Sequence, residues 1–167
     1  MLKQLGANHL GGGTYGFLVW APLHDHISLR IVSPRESVHE MTAQGHGYFE
    51  ATVEGLEPGT RYVYVLPDGQ EFPDPASRWQ PGGVHEPSAL VDNGAFEWSD
   101  GGWNNLLLED YIIYELHVGT FTPEGTFEAV ANRIDYLKEL GINAIELMPV
   151  SQFPGSRNWG YDGTYPY

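Results

Sequence analysis

Residues 111–118 read Tyr-Ile-Ile-Tyr-Glu-Leu-His-Val, a nearly continuous apolar and aromatic run. A run of this kind is typical of a β-strand that is buried on both faces of a parallel sheet. Residues 142–150, Ile-Asn-Ala-Ile-Glu-Leu-Met-Pro-Val, form a second run of the same kind. These two segments decide the fold of the second half of the chain, and the residues between them show how the strands are joined.

The segment between the two runs has the signals of one amphipathic helix. Thr126 is the predicted N-cap, Glu128 lies in the first turn, and Gly141 stands where a C-cap glycine belongs. Apolar residues recur between these caps at helical spacing, at Phe127, Val130, Ile134, Leu137 and Leu140. The sequence therefore predicts a strand–helix–strand (βαβ) unit within about 40 residues. We interpret it as the first unit of a parallel (β/α)8 barrel that the chain leaves incomplete.

The first half of the chain has a different period. Short segments alternate apolar and polar residues and are separated by turn signals at spacings of roughly 8–12 residues, a pattern typical of a small β-sandwich. The predicted strands are 15–20, 27–32, 37–41, 48–53 and 61–66, and a hairpin signal at 44–47 stands between the third and the fourth. We expect the β-sandwich to span residues 1–92, an inter-domain linker 93–110, and the start of the barrel 111–167.

The composition excludes several classes of partner and of chemistry. The 22 acidic and 8 basic residues give a net charge of −14, which argues against nucleic-acid and anionic membrane partners. Solubility is the simplest reason for this acidity, and neutral substrates such as sugars are compatible with it. The absence of cysteine excludes disulfides and cysteine chemistry. The N-terminal residues lack the apolar segment of a signal peptide, and no run approaches the roughly 20 residues of a membrane helix, so we expect a soluble, cytoplasmic protein.

Two polar residues lie near the carboxyl end of the first buried strand, where the active sites of parallel α/β barrels are found. His117 is a candidate ligand for a sugar hydroxyl. The alternative, a histidine hydrogen-bonded to the backbone of the core or of a loop, carries more weight because a lone histidine is a weak signal. For Glu115 we predict a structural role, either in an ion pair or against the β-sandwich.

An aromatic loop follows the second buried strand and should lie on the same face. Trp159 and Tyr161 offer flat apolar surfaces with a polar edge, and Asp162 offers a carboxylate acceptor. Aromatic stacking combined with a hydrogen-bond acceptor suits a carbohydrate, whose C–H groups and hydroxyls lie on different surfaces. An aromatic loop that packs beneath the next strand explains the same residues equally well.

No metal or cofactor motif is present. His24 and His26 come closest to metal-ligand spacing, but no HExxH-type helix accompanies them. Glycines 11–13 precede a predicted strand and no phosphate-loop lysine follows them, and there is no Gly-x-Ser-x-Gly elbow. We therefore expect neither a metal nor a cofactor.

Three segments together resemble a known family. They are residues 73–85 (PDPASRWQPGGVH), residues 114–126 (YELHVGTFTPEGT), and residues 144–150 (AIELMPV) with 158–163 (NWGYDG). The chain resembles the N-terminal part of α-amylase-superfamily enzymes (glycoside hydrolase family 13) that carry an immunoglobulin-like domain, of the early-set type, before the barrel. Within that superfamily it is most similar to the trehalohydrolases, and the Pro73-Asp74-Pro75 signature favours them over the related glycogen branching enzymes.

The resemblance implies hydrolysis of the α-1,4 bond next to the trehalose end of a maltooligosyl trehalose, with release of trehalose. It implies that Tyr161 stacks against the sugar and that Asp162, His117 and Trp159 are accessory. The catalytic carboxylates of this superfamily lie on the fourth, fifth and seventh barrel strands, so no acid in this chain takes those roles. Retaining glycosidases hold the two reacting carboxyl groups about 5–5.5 Å apart.

The length bounds what the chain can do by itself. From Tyr111 onward it supplies 57 residues (167 minus 110), whereas a barrel needs on the order of 200–250. We interpret the chain as a shortened enzyme, as one chain of a split enzyme, or as a chain that ends early. In each case we predict that it has no catalytic activity by itself. The expected partners are maltooligosyl trehalose or another α-glucan and the rest of the barrel. The alternatives are part of a branching enzyme, and a carbohydrate-binding or purely structural module.

Overall fold

The structure is a computed structural model and describes residues 4–167. By contacts between Cα atoms the chain divides into two compact units. The first unit extends to Phe96 and includes residues 164–167, and the second unit spans Glu97–Gly163. Each unit has its own strands, and the two are described separately.

The first unit is built from short β-strands and turns. A 3₁₀ turn at Asn93–Ala95 lies near its end. The Asp92 side chain caps this turn by accepting a hydrogen bond from the Gly94 amide. The strands are β1 Gly6–Gly11, β2 Thr14–Trp20, β3 Ser28–Ser33, β4 Ser37–Glu40, β5 Thr42–Gly45, β6 Tyr48–Val53, β7 Arg61–Val65, β8 Glu71–Phe72 and β9 Ser88–Ala89.

These strands form two antiparallel sheets around one core. The first sheet has the order β1-β2-β6-β5, and the second has the order β4-β3-β7-β8, with β9 also paired to β7. Alternate side chains of both sheets enter one cluster of buried residues. Phe17 of the first sheet meets Tyr62 of the second edge to face, with ring centroids 5.1 Å apart. The prediction of a β-rich N-terminal half is confirmed.

The five strands predicted from alternation are all present within one or two residues, but one pairing differs. The segment 37–40 pairs with β3 in the second sheet, and β6 pairs with β5, which the sequence analysis did not identify. Between β4 and β5 stands only Met41, which is buried and whose N–H donates to Ile27 O at 3.1 Å. The chain therefore changes sheets at Met41, and the hairpin turn at 46–47 belongs entirely to the first sheet.

The N-terminal strand β1 was also missed, because Gly6, Gly11 and His9 give it no apolar alternation. It forms a hairpin with β2 through glycines 11–13, all of which have positive φ. The Arg78 guanidinium secures the strand by donating to Ala7 O at 2.7 Å and to Leu5 O at 3.3 Å. The prediction that these glycines precede a strand is confirmed.

The proline-rich segment 72–83 has no helix and no central strand, as predicted. Its Asp74 is fully buried, and its carboxylate accepts hydrogen bonds from Tyr62 Oη at 2.7 Å and from Tyr64 Oη at 3.3 Å. It also accepts from the Ala76 amide at 2.8 Å, while its own amide donates to Ser88 Oγ at 2.9 Å. The aspartate therefore fixes the segment to the core of the sandwich, which gives the Pro-Asp-Pro sequence a structural role.

The second unit contains the predicted strand–helix–strand order. Its strands, β10 Ile113–Leu116 and β11 Ala144–Leu147, pair in parallel with Ile113 opposite Ala144. The helices between them are α1 Val118–Phe121, α2 Phe127–Ala131 and α3 Ile134–Glu139, and a 3₁₀ turn, Leu108–Asp110, precedes β10. Asn143 joins the starts of both strands, because its side chain accepts from Ile112 N at 2.7 Å and donates to Asp110 O at 2.7 Å.

The predicted helix is present with the predicted caps but is interrupted. Thr126 Oγ1 accepts from the Ala129 amide, and Gly141, at φ 92°, ends the helical segment. The Gly141 amide donates to Lys138 O and the Ile142 amide donates to Leu137 O. These are the two hydrogen bonds of a Schellman motif. The interruption falls at residues 132–133, where Arg133 adopts φ −104° and ψ 1°. A single continuous helix was therefore the wrong expectation.

Burial in the second unit is lower than predicted. Leu116, Val130 and Leu137 are buried, whereas Ile113 and Leu147 are 55% and 43% exposed. The expectation of strands buried on both faces was therefore wrong for this structure, because β10 and β11 pair only with each other within the described residues. The described part of the chain contains no helix that is long and apolar enough to cross a membrane.

Candidate functional site

A cleft of about 740 Å³ opens where the two parallel strands of the second unit end. Its walls come from residues that directly follow β10 (117–120), from residues that directly follow β11 (148–150), and from the later loop 156–159. Gly125, Phe127 and Phe153 complete the lining. Because both strands run in the same direction, their carboxyl ends bring these loops to one face, as the sequence analysis predicted.

His117 lies in the wall of this cleft and bridges two of its loops. Its Nε2 is 2.8 Å from the backbone oxygen of Asn158, and since a carbonyl only accepts, Nε2 carries the proton. Nδ1 then accepts from Thr120 Oγ1 at 3.3 Å when the imidazole is neutral. This geometry matches the alternative in which the histidine binds backbone, while a role for His117 in sugar binding stays a prediction.

Trp159 stands beside His117 and is the main aromatic surface of the cleft. The two ring centroids are 6.1 Å apart at an interplanar angle of 68°, an edge-to-face arrangement. The indole is 73% exposed. It is therefore held at one edge and open over much of its surface, which is the condition that stacking against a ligand requires.

The loop that carries Trp159 is fixed by one hydrogen bond to a side chain and by close approaches at two glycines. Asn158 Oδ1 accepts from the Gly160 amide at 2.6 Å. Gly160 has φ 94° and is buried, and a Cβ at this position would lie 2.1 Å from Pro149 O. A Cβ on Gly163 would lie 2.4 Å from Ser151 Cβ. Only glycine permits these approaches, so the two glycines press the loop against the residues that follow β11.

The structure separates the four predicted substrate-binding residues into two pairs. His117 and Trp159 come together in the cleft. Tyr161 and Asp162 lie further along the same loop, are exposed, and do not line the cleft. Glu115 lies within β10 and is exposed as well. The roles predicted for Tyr161 and Asp162 in binding stay predictions.

The cleft includes polar residues that the sequence analysis did not identify. Thr120, Ser156 and Arg157 line it beside Asn158, and all of them are hydrogen-bond donors. Their position in the loops that follow β10 and β11 was the available signal. The lining contains no aspartate or glutamate, so the cleft offers hydrogen-bond donors but no pair of carboxyl groups for hydrolysis. Among residues 4–167 no group of three or more histidine, aspartate or glutamate side chains is placed to hold a metal ion.

Comparison with known proteins gives consistent relatives. No family model matches the chain. It is 49% identical over 151 residues to the malto-oligosyltrehalose trehalohydrolase of Saccharolobus solfataricus, covering 90% of this chain and 26% of the relative. It is 44% identical over 165 residues to the enzyme of that name from Deinococcus radiodurans, covering 98% and 27%. A 1,4-α-glucan branching enzyme from Jannaschia is 31% identical over 181 residues, covering 95% of this chain and 25% of that enzyme.

Solved structures show the same relationship. A putative α-amylase from Salmonella typhimurium matches with a TM-score of 0.91 and 44% identity, over 99% of this chain and 28% of that one. A pullulanase from Anoxybacillus, solved in complex with maltotetraose, matches with a TM-score of 0.78 at 24% identity, over 95% and 28%. The chain thus spans about a quarter of the length of its curated relatives. It is homologous to the N-terminal region of the malto-oligosyltrehalose trehalohydrolases, in the α-amylase family of enzymes.

Proposed function

We propose that this chain is the N-terminal part of a glycoside hydrolase that cleaves the α-1,4 bond next to the trehalose end of maltooligosyl trehalose and releases trehalose. The observation that carries the proposal is the 49% and 44% identity to trehalohydrolases over nearly the whole chain, against 31% to a branching enzyme. The cleft at the ends of β10 and β11 supports it, because its donors and exposed indole suit a neutral polyhydroxyl substrate.

The proposal includes the finer architecture. The two-sheet sandwich of residues 1–92 would be an immunoglobulin-like domain of the early-set type, and residues 93–110 the linker. Residues 111–167 would be the first βαβ unit of a (β/α)8 barrel. The parallel pairing of β10 with β11 and the helices between them support this assignment. The cytoplasmic location stays a prediction.

Within this enzyme the chain would help to bind substrate and would not perform the chemistry. The cleft lining holds no carboxylate, and the superfamily resemblance assigns the reacting acids to later strands. We expect the 167-residue chain alone to release no trehalose from maltooligosyl trehalose above background. Quantifying trehalose by chromatography after prolonged incubation checks this. Release that scales with protein concentration would contradict it.

A chimera tests the proposed function itself. In it, this chain replaces the corresponding N-terminal quarter of the Saccharolobus solfataricus enzyme, and trehalose release is measured. We expect activity to be retained. A chimera that folds but releases no trehalose would contradict the proposal, because the host enzyme supplies all the later strands and only this chain differs.

Tyr161 gives the sharpest test at residue level. If its ring is buried against the sugar next to the cleaved bond, Tyr161→Ala in the chimera should lower kcat/KM by about 10–100-fold, since burying a large apolar side chain contributes roughly 1.5–3 kcal/mol. Tyr161→Phe is the matched control, because it keeps the ring and removes only the hydroxyl, and should retain most activity. Equal rates for the alanine variant and the parent chimera would remove Tyr161 from the proposed site.

A further inference from the structure

Both ring nitrogens of His117 are engaged by the protein itself. Nε2 donates to the backbone oxygen of Asn158 at 2.8 Å, and Nδ1 lies 3.3 Å from the hydroxyl of Thr120. The backbone closes over the ring beside Nδ1, because a Cβ on Gly119 would lie 3.0 Å from Cε1 and 3.4 Å from Nδ1. An imidazole makes one hydrogen bond at each nitrogen. His117 can therefore act on a substrate only through the residues that it holds.

The backbone that His117 holds is the backbone of Trp159. The peptide group before Trp159 is fixed through the oxygen of Asn158, which accepts from His117. The peptide group after Trp159 is fixed through the amide of Gly160, which donates to Asn158 Oδ1 at 2.6 Å. Because peptide groups are planar, the orientations of these two groups determine φ and ψ of the residue between them. His117 and Asn158 together thus set the direction in which the Trp159 side chain leaves the backbone.

The imidazole also contacts the indole ring directly. The edge-to-face contact between His117 and Trp159, with ring centroids 6.1 Å apart, is an arrangement that aromatic pairs prefer. Most of the indole is left open toward the cleft that it lines. An aromatic side chain that is already held in one orientation loses little conformational freedom when a ligand stacks on it. The contact therefore prepares the indole for a ligand without covering its surface.

The hydrogen bond from His117 joins two walls of the cleft that come from different strands. His117 directly follows β10, whereas Asn158 lies 41 residues later, in the loop that follows β11. The close approach of Gly160 to Pro149 holds that loop to its own strand. The bond to His117 holds it to the neighbouring strand. Loss of this bond would free the loop 156–159 from the wall formed by 117–120, and the indole would move with the loop.

We propose that His117 is a positioning residue for the cleavage reaction: it holds the 158–160 turn so that the Trp159 indole presents its open face to the sugar, and it does not touch the sugar itself. This role rests on the proposed function, and it replaces the direct sugar contact that the sequence predicted for His117. A histidine suits the role because one rigid ring supplies both the donor for the Asn158 oxygen and the flat surface that the indole packs against.

Trehalose release by the chimera with the Saccharolobus solfataricus enzyme tests this role. His117→Phe keeps a ring but removes the donor, and it should raise KM about tenfold with kcat changed less than about twofold, since it weakens binding and not the chemical step. His117→Gln, whose amide nitrogen can take the place of Nε2, should restore most of the loss. His117→Asn is too short to reach Asn158 and should resemble the phenylalanine variant, which guards against misfolding of the latter. His26→Phe, the matched loss of an exposed imidazole in the first unit, should change neither constant.

A double variant shows whether His117 acts through Trp159. Trp159→Ala should raise KM at least as much as His117→Phe does, and adding His117→Phe to it should raise KM no further, because the effects of residues that act through one contact are not additive. Effects on KM that multiply would assign His117 its own contact with the sugar and overturn the role. An unchanged KM in His117→Phe, or a glutamine variant as impaired as the phenylalanine variant, overturns it as well.

Hydrogen exchange of the 167-residue chain tests the same role without catalysis. The amide of Gly160, which donates to Asn158 Oδ1, should exchange about tenfold faster in His117→Phe and at the unmodified rate in His117→Gln, since the loop opens locally. The amide of Leu137, which donates to Arg133 O, should keep its rate, whereas a general loss of stability would speed both. Unchanged exchange of Gly160 overturns the role. If the unmodified chimera releases no trehalose, the proposed function fails, and the exchange rates decide whether His117 positions the loop.

Discussion

Replacing Asp74 with alanine is expected to lower the free energy of unfolding of the first unit by about 3–5 kcal/mol. The side chain is fully buried and accepts hydrogen bonds from Tyr62 Oη, Tyr64 Oη and the Ala76 amide. Alanine would leave three buried donors without an acceptor, and each buried unsatisfied group costs about 1–3 kcal/mol. Urea unfolding of the full chain, followed by near-ultraviolet circular dichroism of the core tyrosines, measures the change.

Two variants separate the carboxylate from its surroundings. Asp74→Asn keeps the shape and one acceptor but places an NH₂ group against a donor, so an intermediate loss of about 1–3 kcal/mol is expected. Tyr64→Phe removes only the longer of the two hydroxyl contacts, 3.3 Å, and should cost about 1 kcal/mol or less. A loss below about 1 kcal/mol for Asp74→Ala would show that the Pro-Asp-Pro segment is not fixed by this residue.

The same carboxyl gives this loss a pH dependence of known sign. Burial raises the pKa of Asp74 above its ordinary value of 3.8, although the hydrogen bonds from Tyr62, Ala76 and Tyr64 oppose the shift. The folded state therefore binds the Asp74 proton more tightly than the unfolded state does. The stability that this proton binding contributes is fully present below the unfolded pKa of Asp74, and it is lost as the pH rises through the folded pKa. The stability difference between the unmodified chain and Asp74→Asn should accordingly grow as the pH falls through this window.

Gly160→Ala should produce the largest effect in the second unit, a loss of about 3–4 kcal/mol in stability or a rebuilt 158–163 loop. The new Cβ would lie 2.1 Å from Pro149 O and 2.8 Å from Pro149 C, both backbone atoms, at φ 94°. Neither atom can move without displacing the chain that follows β11. Thermal unfolding, together with tryptophan fluorescence as a report on Trp159, measures both consequences.

Gly155→Ala is the matched control for this substitution. Gly155 belongs to the same region and has φ 88°, but a Cβ there would meet nothing within 4 Å. It therefore carries the cost of positive φ without the collision, about 1 kcal/mol. If both alanine variants lose the same stability, the close approach of Gly160 to Pro149 does not hold the loop in the cleft wall.

Local signals in the sequence predicted the elements more reliably than their partners. Alternation in 48–53 and 61–66 identified β6 and β7, because each needs one buried face whatever lies beside it. The change of sheet at Met41 has no signal in the sequence, because the residues of β4 and β5 together have the pattern of one strand followed by a turn. β1 was missed for a related reason: its pairing and the Arg78 contacts hold it, and its own residues carry no pattern.

The second unit shows the same division. Caps are local, so Thr126 and Gly141 could be placed from their neighbours. The interruption of the helix at 132–133 has no local signal, so it could not be predicted from the sequence. For the site, the order of strands and loops sufficed to bring His117 and Trp159 together. The hydrogen bond from His117 to the backbone oxygen of Asn158, 41 residues later, could not be predicted. Sequence spacing does not show which backbone atoms of a loop come close to a given side chain.

The single residue between β4 and β5 has a consequence for how the sandwich assembles. β4 is an edge strand of one sheet and β5 an edge strand of the other, and Met41 alone joins them. One residue spans at most about 3.3–3.6 Å, so neither edge can take its place while the other is still distant. Pairing of β4 therefore brings β5 within reach of its own sheet, and we expect the first unit to unfold in one cooperative step.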